Sequence, residues 1–242
     1  MKIAIIGYGK MGHMIEEVAR SRGHQIVGVI DPRLNEELKI KNEELSLPLI
    51  DFESEEFRSA DVAIEFTTPA TAEDNIRKAW EQGVPVVCGT TGWDAASLIE
   101  EDKRLHDKTM LVWSSNFSVG VNIFFELNKF LAQKIREASP QPSPEGKGGY
   151  MPSIKEIHHI HKLDKPSGTA KTLAEQISAM YEGRMYDVRR VVPIESIREG
   201  EVPGTHEVTW DSEEDTIVIT HIAKGRRGFA LGAVLAAEEV TR

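Results

Sequence analysis

The segment between residues 156 and 176, EIHHIHKLDKPSGTAKTLAEQ, is the richest in side chains that can transfer protons. It places His158, His159, His161 and Lys162 ahead of a predicted helix. A histidine beside a lysine supplies protons near neutral pH, and the lysine also stabilises negative charge. The segment therefore predicts acid–base chemistry; the alternative is a polar loop in which the histidines are incidental.

The same segment predicts a site for an anion. Ser167, Gly168 and Thr169 stand where the helix starts, and the hydroxyls and unpaired N–H groups of a helix start suit a carboxylate. Arg226 lies in the basic turn KGRR before the last predicted helix. It is a candidate for bidentate binding of a carboxylate, and a solvated basic turn is the alternative.

Clustered histidines also suggest zinc, but their spacing argues against it. Neighbouring side chains on a strand point to opposite faces, so His158 and His159 would not share a metal. No cysteine or acidic residue of the segment completes a ligand set. We therefore expect no metal site.

The start of the chain carries the pattern of a dinucleotide-binding turn. IAIIGYGKMG places Gly7, Gly9 and Gly12 between a β-rich apolar run and a helical pattern. Gly7 permits the tight turn, Gly9 lets the backbone approach a pyrophosphate, and Gly12 lets helix and strand pack closely. The alternative is a plain strand–turn–helix in which the glycines serve geometry alone.

Asp31 and Arg33 indicate which nucleotide the turn would hold. Asp31 ends the next predicted strand about 20 residues beyond Gly12, where a carboxylate accepts hydrogen bonds from the adenosine ribose. Arg33 would hold the extra phosphate of NADP, or it is a solvated loop cation. We expect NADH or NADPH, with NADH favoured.

Two further loops follow the third and fourth predicted strands, DVAIEFT and VPVVCGTTG. Ligands bind beyond the carboxyl ends of such strands, and small hydroxyl residues approach ribose and nicotinamide without a clash. Thr67 in the first loop, and Gly89, Thr90 and Thr91 in the second, are therefore candidate cofactor contacts. Each threonine could equally cap a helix.

Strand and helix patterns alternate up to about residue 117, which predicts an α/β fold with a doubly wound parallel sheet of the Rossmann type. Beyond a long amphipathic helix and a Pro/Gly-rich loop, IKEIHHIHK is predicted as a strand. The segments VRRVVPIESI, HEVTWDS and DTIVITHIA are predicted as antiparallel strands. We predict a dinucleotide-binding domain of residues 1–117 plus 221–242. Residues 118–220 would form a second, α+β domain on a mixed or antiparallel sheet.

The composition excludes some classes of protein. The net charge of −10 argues against a nucleic-acid binder, although a few clustered basic residues would still suit an anionic substrate. Cys88, the single cysteine, lies in an apolar strand pattern and is expected as a core thiol. With no secretion signal and no long apolar span, we expect a soluble cytoplasmic protein without membrane contact.

Together these motifs resemble the dihydrodipicolinate reductase family of bacterial lysine and diaminopimelate synthesis, also called 4-hydroxy-tetrahydrodipicolinate reductases. The resemblance spans nearly the whole chain, through GYGKMG, FTTP, GTTG, SSNFSVGVN, HHIHKLDKPSGTA, GTHEV and FALGAV. The string HH-x-x-K-x-D-x-P-S-G-T-A is highly specific to this family.

The resemblance implies a reductase that uses NADH or NADPH to reduce a cyclic imine bearing two carboxylates. Water leaves the 4-hydroxy compound, hydride passes to ring C4, and protonation of the enamine gives tetrahydrodipicolinate. His158 would be the acid–base residue and Lys162 its partner proton donor. The residues implied to bind substrate are His159, Ser167, Gly168, Thr169 and Arg226.

The resemblance also implies a nicotinamide pocket lined by Ser114 to Phe117, and a homotetramer built through the sheet of the second domain. The residues expected at the nucleotide are Gly7, Tyr8, Gly9, Lys10, Met11, Gly12, Asp31, Arg33, Thr67, Gly89, Thr90, Thr91, Ser114, Ser115, Asn116 and Phe117.

The sequence departs from the family pattern at three places. The loop Ser139–Gly149 is unusually rich in Pro and Gly, Lys165 stands where a small residue is common, and the stretch from Asp31 to the third strand is short. Two alternatives are another two-domain NAD(P)-dependent dehydrogenase of an amino or keto acid, and a non-enzymatic NAD(H) sensor. Neither has a reason to carry the His158–Thr169 string.

Overall fold

The computed structural model describes residues 1–34, 47–105, 108, 110–138, 149–180 and 192–242. The strands are β1 Lys2–Ile6, β2 Gln25–Ile30, β3 Val62–Glu65, β4 Val86–Cys88, β5 Leu111–Trp113, β6 Met151–His158, β7 Ile194–Arg198, β8 Thr205–Asp211 and β9 Thr216–Ile222. The helices are α1 Lys10–Ser21, α2 Glu55–Arg58, α3 Ala72–Glu81, α4 Ala95–Leu105, α5 Val119–Ala138, α6 Gly168–Ala179 and α7 Arg227–Val240.

The chain divides into two compact units, Met1–Ser118 with Arg226–Arg242, and Val119–Gly225. The second of the two boundaries between the units lies after Gly225, whereas the predicted boundary lay between residues 220 and 221. That boundary would fall inside β9, which pairs with β8 as far as Ile222. The hydrogen-bonded ladder keeps the whole strand in the second unit, so the division comes after Gly225.

The first unit is a parallel five-stranded sheet in the order β2-β1-β3-β4-β5, which confirms the predicted Rossmann type of sheet. Because side chains alternate along a strand, Ile3 and Ile5 pack on one face while Ala4 and Ile6 pack on the other. Helices α1 and α7 contribute to the first of these cores, and α2, α3 and α4 to the second. The loops that follow the strands therefore leave the sheet at one edge, where ligands bind in such folds.

The last helix, α7, completes the first unit. Its buried alanines pack in the same core as α1. Gly232 permits this packing, because a Cβ at that position would lie 1.6 Å from the carbonyl oxygen of Phe117. Near its end, Glu238 accepts hydrogen bonds from the Arg22 guanidinium at 2.7 and 2.9 Å. The first and last helices are thus joined by both apolar and ionic contacts.

The second unit is a four-stranded mixed sheet in the order β7-β6-β8-β9. β8 runs antiparallel to β6 and to β9, whereas β7 runs parallel to β6, so the sheet is mixed, which is one of the two kinds predicted. The reason is that α6 lies between β6 and β7, and a helical crossover returns the chain to the sheet in the same direction. Residues 188–191 of the predicted strand, and 139–148 of the predicted loop, lie outside the described residues.

β6 is shorter than the predicted strand IKEIHHIHK, because it ends at His158. The strands that pair with β6 also end here. β7 ends at Arg198, which pairs with His158, and β8, on the other edge of β6, begins at Thr205. The chain then turns, with the N–H of Lys162 donating to the carbonyl of His159 at 3.2 Å. The rest of the predicted catalytic string therefore lies in the loop after β6 and at the start of α6.

Helices α5 and α6 cover one face of the second sheet, where Trp210 is fully buried. Exposed apolar side chains occur on its strands as well, namely Met151, Val218 and Ile222. Val218 alternates with residues that pack beneath the helices, so it lies on the opposite face. Separately, no helix in the described part of the chain combines the length and apolar character needed to span a membrane.

Candidate active site

The glycine turn after β1 is tight. Gly7 has φ +87°, and a Cβ there would lie 2.2 Å from the carbonyl oxygen of Phe66. A Cβ at Gly12 would lie 2.4 Å from the carbonyl oxygen of Gly7. At Gly9, which precedes α1, a Cβ would instead meet only the Arg33 guanidinium among the described residues, at 4.0 Å. The start of α1 therefore presents N–H groups beside open space, which suits a phosphate group.

Asp31 is buried behind this turn and already has partners. Its carboxylate accepts hydrogen bonds from the N–H of Tyr8 at 2.9 Å and from the backbone and guanidinium of Arg33 at 3.1 to 3.2 Å. Burial raises the pKa of Asp31, but the hydrogen bonds from Arg33 and Tyr8 outweigh burial and hold this pKa below its ordinary value. Asp31 thus fixes the backbone of the turn. A bound ribose would have to share the Asp31 carboxylate with Arg33.

The side chains between the glycines differ in exposure. Tyr8 is buried, its hydroxyl donates to Glu16, and its ring centroid lies 4.0 Å from that of His13. Lys10 is exposed, and Met11 packs partly against the core. The Tyr8 N–H and hydroxyl are therefore both paired within the chain, and a contact between Tyr8 and a nucleotide stays a prediction.

The loops after β3 and β4 are tied together. The N–H of Thr67 donates to the Thr90 hydroxyl at 2.8 Å. The carbonyl of Thr90 accepts hydrogen bonds from the indoles of Trp93 and Trp113, each at 2.8 Å. Thr90 is thus held inside its loop, whereas Thr91 is exposed. Neither tryptophan is among the residues predicted from the sequence.

Other residues take the helix-capping positions near these loops. Thr71 precedes α3, and the carboxylate of Asp94 accepts the N–H of Ser97 at 3.2 Å in the first turn of α4. Gly89 is needed for close packing, because a Cβ there would lie 2.1 Å from the ring of Phe66. These contacts argue against the capping alternative for Thr67 and Thr90.

Glu65, at the end of β3, is fully buried and was missed by sequence reasoning. Its carboxylate accepts hydrogen bonds from the Thr67 hydroxyl and, at 2.9 Å, from the Cys88 thiol. Burial and the nearby Glu65 charge raise the pKa of the Cys88 thiol, so this buried thiol stays protonated. The available signal was an acid within the otherwise apolar run VAIEF.

The segment after β5 forms a turn held by its own side chains. The Ser114 hydroxyl donates to the carbonyl of Asn116 at 2.9 Å and accepts the N–H of Asn116 at 3.1 Å. The side-chain oxygen of Asn116 accepts the N–H of Ser118 at 2.9 Å. Phe117 is buried and Ser115 exposed, so these two offer a ligand different surfaces.

His158, the last residue of β6, is the centre of the site in the second unit, and only 6% of it is exposed. Its ring meets that of His206 edge to face, with centroids 4.9 Å apart. A Cβ at Gly204 would lie 3.2 Å from Nε2 of His158, so the glycine leaves room beside that nitrogen. Burial lowers the pKa of His158, which makes the imidazole neutral at neutral pH.

Lys162 lies in the loop after β6, with Nζ 2.7 Å from the carboxylate of Asp164. Burial raises the pKa of Asp164, but the hydrogen bond from Lys162 outweighs burial and holds this pKa below its ordinary value. His159 is partly buried, and its ring centroid lies 6.1 Å from that of the exposed His161. The loop therefore pairs the predicted proton donor with an acid.

Ser167 caps α6. Its hydroxyl accepts the N–H of Ala170 at 3.2 Å and lies 3.2 Å from Nε2 of His206. Gly168 is exposed, and a Cβ there would meet no described residue within 4 Å. Thr169 is half-buried. The first turn of α6 therefore has room for an anion beside Gly168.

The fold brings three further residues to this site that the sequence prediction omits: Glu156, Arg198 and His206. Glu156 is fully buried, His206 faces it across the pairing of β6 and β8, and Arg198 ends β7. The alternation of a strand places Glu156 on the same face as His158, which is a signal the sequence carries. Arg198 and His206 reach the site only through strand pairing.

Glu156, His158 and His206 also bring one possible metal ligand each to within 4.8 Å of one another. The sequence argument that no acidic residue completes a ligand set is therefore wrong. The Glu156 carboxylate already has the Arg198 guanidinium 3.4 Å away and accepts the N–H of Ser167. The positive charge of Arg198 therefore already compensates the negative charge of Glu156. The absence of a metal stays a prediction.

Arg226 stands apart from these residues in the division of the chain. It is exposed, precedes α7 and belongs to the first unit, whereas His158, Lys162 and Ser167 belong to the second.

A parallel sheet whose first strand is followed by a glycine turn and a helix is typical of dinucleotide-binding domains. In this chain a second sheet carries a buried histidine site as well. The chain matches two family profiles, "Dihydrodipicolinate reductase, N-terminus" over residues 1–117 and "Dihydrodipicolinate reductase, C-terminus" over residues 120–242. This chain therefore belongs to the dihydrodipicolinate reductase family.

Individual relatives agree with this assignment. A 4-hydroxy-tetrahydrodipicolinate reductase of Christiangramia forsetii is 44% identical over 98% of this chain and 91% of its own length. One from Archaeoglobus fulgidus is 35% identical over 100% of this chain and 95% of its own. Among solved structures, the dipicolinate-bound dihydrodipicolinate reductase from Paenisporosarcina sp. TG-14 has a TM-score of 0.76 at 21% identity, covering 100% of this chain and 94% of that one. At this level of identity, the likeness to the Paenisporosarcina structure shows a shared fold.

Proposed function

We propose that this protein is an NAD(P)H-dependent 4-hydroxy-tetrahydrodipicolinate reductase of lysine and diaminopimelate biosynthesis. The observation that carries the proposal is the second-unit site. There the string from His158 to Thr169 folds into a buried imidazole, a lysine paired with an acid, and an open helix start. Another two-domain amino- or keto-acid dehydrogenase has no need of this combination.

The first unit suits a nicotinamide dinucleotide, which supplies a hydride when bound. Gly7 and Gly12 leave no space for a Cβ, while Gly9 leaves open space beside the start of α1. The N–H groups there would bind the pyrophosphate. Thr91 and Ser115, both exposed in loops near the carboxyl ends of the strands, are the side chains we assign to contacts nearer the nicotinamide.

The second unit supplies charge and protons for a dianionic substrate. The start of α6 at Ser167–Thr169 would bind a substrate carboxylate, with His159 as a further contact in the same unit. Arg226 stays a predicted carboxylate ligand. A nearby dianion raises the pKa of a neutral imidazole, so His158 would take up a proton when substrate binds. His158, with Lys162 as its partner, would then deliver a proton to the enamine carbon after hydride transfer to C4.

The function is tested by supplying the substrate in situ from dihydrodipicolinate synthase and following the oxidation of NADH by its absorbance. We expect a rate that depends on both the synthase product and this protein. Omitting either the synthase or its substrates is the control. A protein that binds NADH but gives no rate above background would refute the proposal.

For the nucleotide we propose NADH or NADPH, with NADH favoured. Replacing Asp31 by alanine is expected to weaken NADH binding about tenfold, the value of roughly one hydrogen bond to a charged group. NADPH should weaken less, because Arg33 is released to bind its extra phosphate. The measurement is fluorescence titration of both nucleotides. Equal weakening would mean that Asp31 acts only on the turn, through Tyr8.

We also propose a cytoplasmic homotetramer assembled through the second sheet. The exposed apolar residues Val218 and Ile222 on β9 support an interface there, because water-exposed apolar side chains on a sheet are costly to leave uncovered. Light scattering is expected to give four times the mass of the chain. A monomer mass for the wild type, or an unchanged mass for Val218→Lys with Ile222→Lys, would contradict this assembly.

A further inference from the structure

One buried carboxylate, that of Glu156, lies close both to the residue that caps α6 and to two histidine rings. Glu156 lies two residues before His158 on the same face of β6, and none of its surface is exposed. Both of its oxygens accept the N–H of Ser167, at 3.1 and 3.2 Å. The guanidinium of Arg198 lies 3.4 Å from Oε1. Glu156 therefore holds the residue that caps α6.

The same carboxylate faces two histidine rings. Oε2 of Glu156 lies 3.6 Å from Nδ1 of His158 and 3.7 Å from Nε2 of His206. Nδ1 of His158 is buried and makes no hydrogen bond within the described residues. Nε2 of His158 lies on the side of Gly204, where a Cβ would come within 3.2 Å. The ring thus turns one nitrogen toward an acid and the other toward space that a glycine leaves open.

The charge of this cluster is set by its surroundings. Burial raises the pKa of Glu156, but hydrogen bonds from Ser167 and Ser196 outweigh burial, so Glu156 is ionised. Burial and the neighbouring His158 lower the pKa of His206 to about 4, so that ring is neutral. The groups that face His158 are Glu156 on β6, Lys162 and Asp164 in the loop after it, Arg198 on β7 and His206 on β8. Glu156 is the fully buried anion of this set.

We propose that Glu156 is a positioning residue for proton transfer, which fixes the proton of His158 on Nδ1 and leaves Nε2 to react. An ionised carboxylate beside Nδ1 favours this tautomer and stabilises the imidazolium, as an acid does behind a catalytic histidine. When Nε2 releases its proton to the substrate carbon, Nδ1 keeps its own. The kinetic consequence rests on the proposed function, but the tautomer does not.

The tautomer is tested without substrate, by ¹⁵N–¹H NMR of the histidine rings, with His158→Gln used to assign the signal. We expect Nδ1 of His158 to carry the proton in the neutral ring. In Glu156→Gln the pKa of His158 should fall further, because the imidazolium loses its carboxylate. A proton on Nε2 in the wild type, or a pKa of His158 that Glu156→Gln leaves unchanged, would overturn the proposal.

In the reductase assay, Glu156→Gln is expected to lower kcat about 100-fold, with KM for NADH little changed. His158 must be protonated to act as the acid, so kcat falls as the pH rises through the pKa of His158. Because the variant lowers that pKa, this fall moves to lower pH. Glu156→Asp keeps the charge at a greater distance from the ring and should move the fall only part of the way back. Glu175→Gln, at an exposed position of α6, is the matched control and should match the wild type.

These outcomes separate the two proposals. A loss of kcat with an unmoved pH profile would make Glu156 merely structural and overturn the inference. A wild type without reductase activity, but with the expected tautomer and its dependence on Glu156, would refute the function and leave the positioning role intact. If Glu156→Gln does not fold, Glu156→Asp provides the NMR test. Its carboxylate lies farther from the ring, so an unchanged pKa of His158 would count against the proposal.

Discussion

His158→Gln is expected to lose about 100- to 10,000-fold in kcat, the range that a positioned acid–base group contributes, while NADH affinity stays within a few-fold. Glutamine has polar atoms but cannot exchange a proton near neutral pH. The glycine turn that would bind NADH belongs to the first unit, and His158 to the second. The change should therefore act on chemistry and leave nucleotide binding in place.

The measurements are steady-state kcat and KM in the coupled assay, with NADH affinity from fluorescence titration. The neighbouring His161→Gln is the matched control, because the His161 side chain is 70% exposed and contacts Glu201 at 3.4 Å. We expect it to retain wild-type kcat. If His158→Gln instead lost NADH binding and kept its turnover at saturation, the assignment of His158 to proton transfer would be wrong.

Gly7→Ala is expected to weaken NADH binding about 100-fold or more and to lower the thermal stability. A Cβ at Gly7 would lie 2.2 Å from the carbonyl oxygen of Phe66, and φ is +87°, so the residue is both strained and in collision with backbone. The turn must shift to relieve this, and losing about two N–H hydrogen bonds to the pyrophosphate, at about 1.5 kcal/mol each, weakens binding about 100-fold.

Gly23→Ala is the control that separates backbone strain at a positive φ from the collision of a Cβ with neighbouring atoms. Gly23 has φ +81°, nearly that of Gly7, but a Cβ there would meet no described residue within 4 Å. It should cost about 1–2 kcal/mol of stability through strain and leave NADH affinity unchanged. Equal NADH affinities for the two variants would show that the close approach of Gly7 to Phe66 is unimportant for the nucleotide site.

The sequence allowed the first unit to be predicted well because its signals are local. Apolar runs, helical periodicity and the turn at Gly7–Gly12 each depend on neighbouring residues. That the second sheet is mixed was one of the two kinds predicted, but the strand that runs parallel, β7, could not be identified from its own residues, since direction follows from the crossover through α6. The end of β6 at His158 was also missed, because it depends on where the partner strands stop.

The residues of the site also fall into those that local sequence predicts and those that only strand pairing brings together. His158, Lys162 and Ser167 belong to one recognisable string, which runs from the end of β6 through the following loop to the start of α6. Glu156 and His206 are brought together only by the antiparallel pairing of β6 with β8. Asp31 was predicted as a ribose ligand from its position, but its hydrogen bonds within the turn could be found only once the backbone was placed.

The position of α7 bears on how the chain folds during synthesis. The first unit is discontinuous: its core is completed by Arg226–Arg242, which the ribosome makes after the whole second unit. The second unit is continuous in sequence and can close its own core earlier. Until α7 arrives, the sheet face beneath Gly232 lacks its cover, so the dinucleotide unit stays open to chaperones and to aggregation for longer than the unit inserted within it.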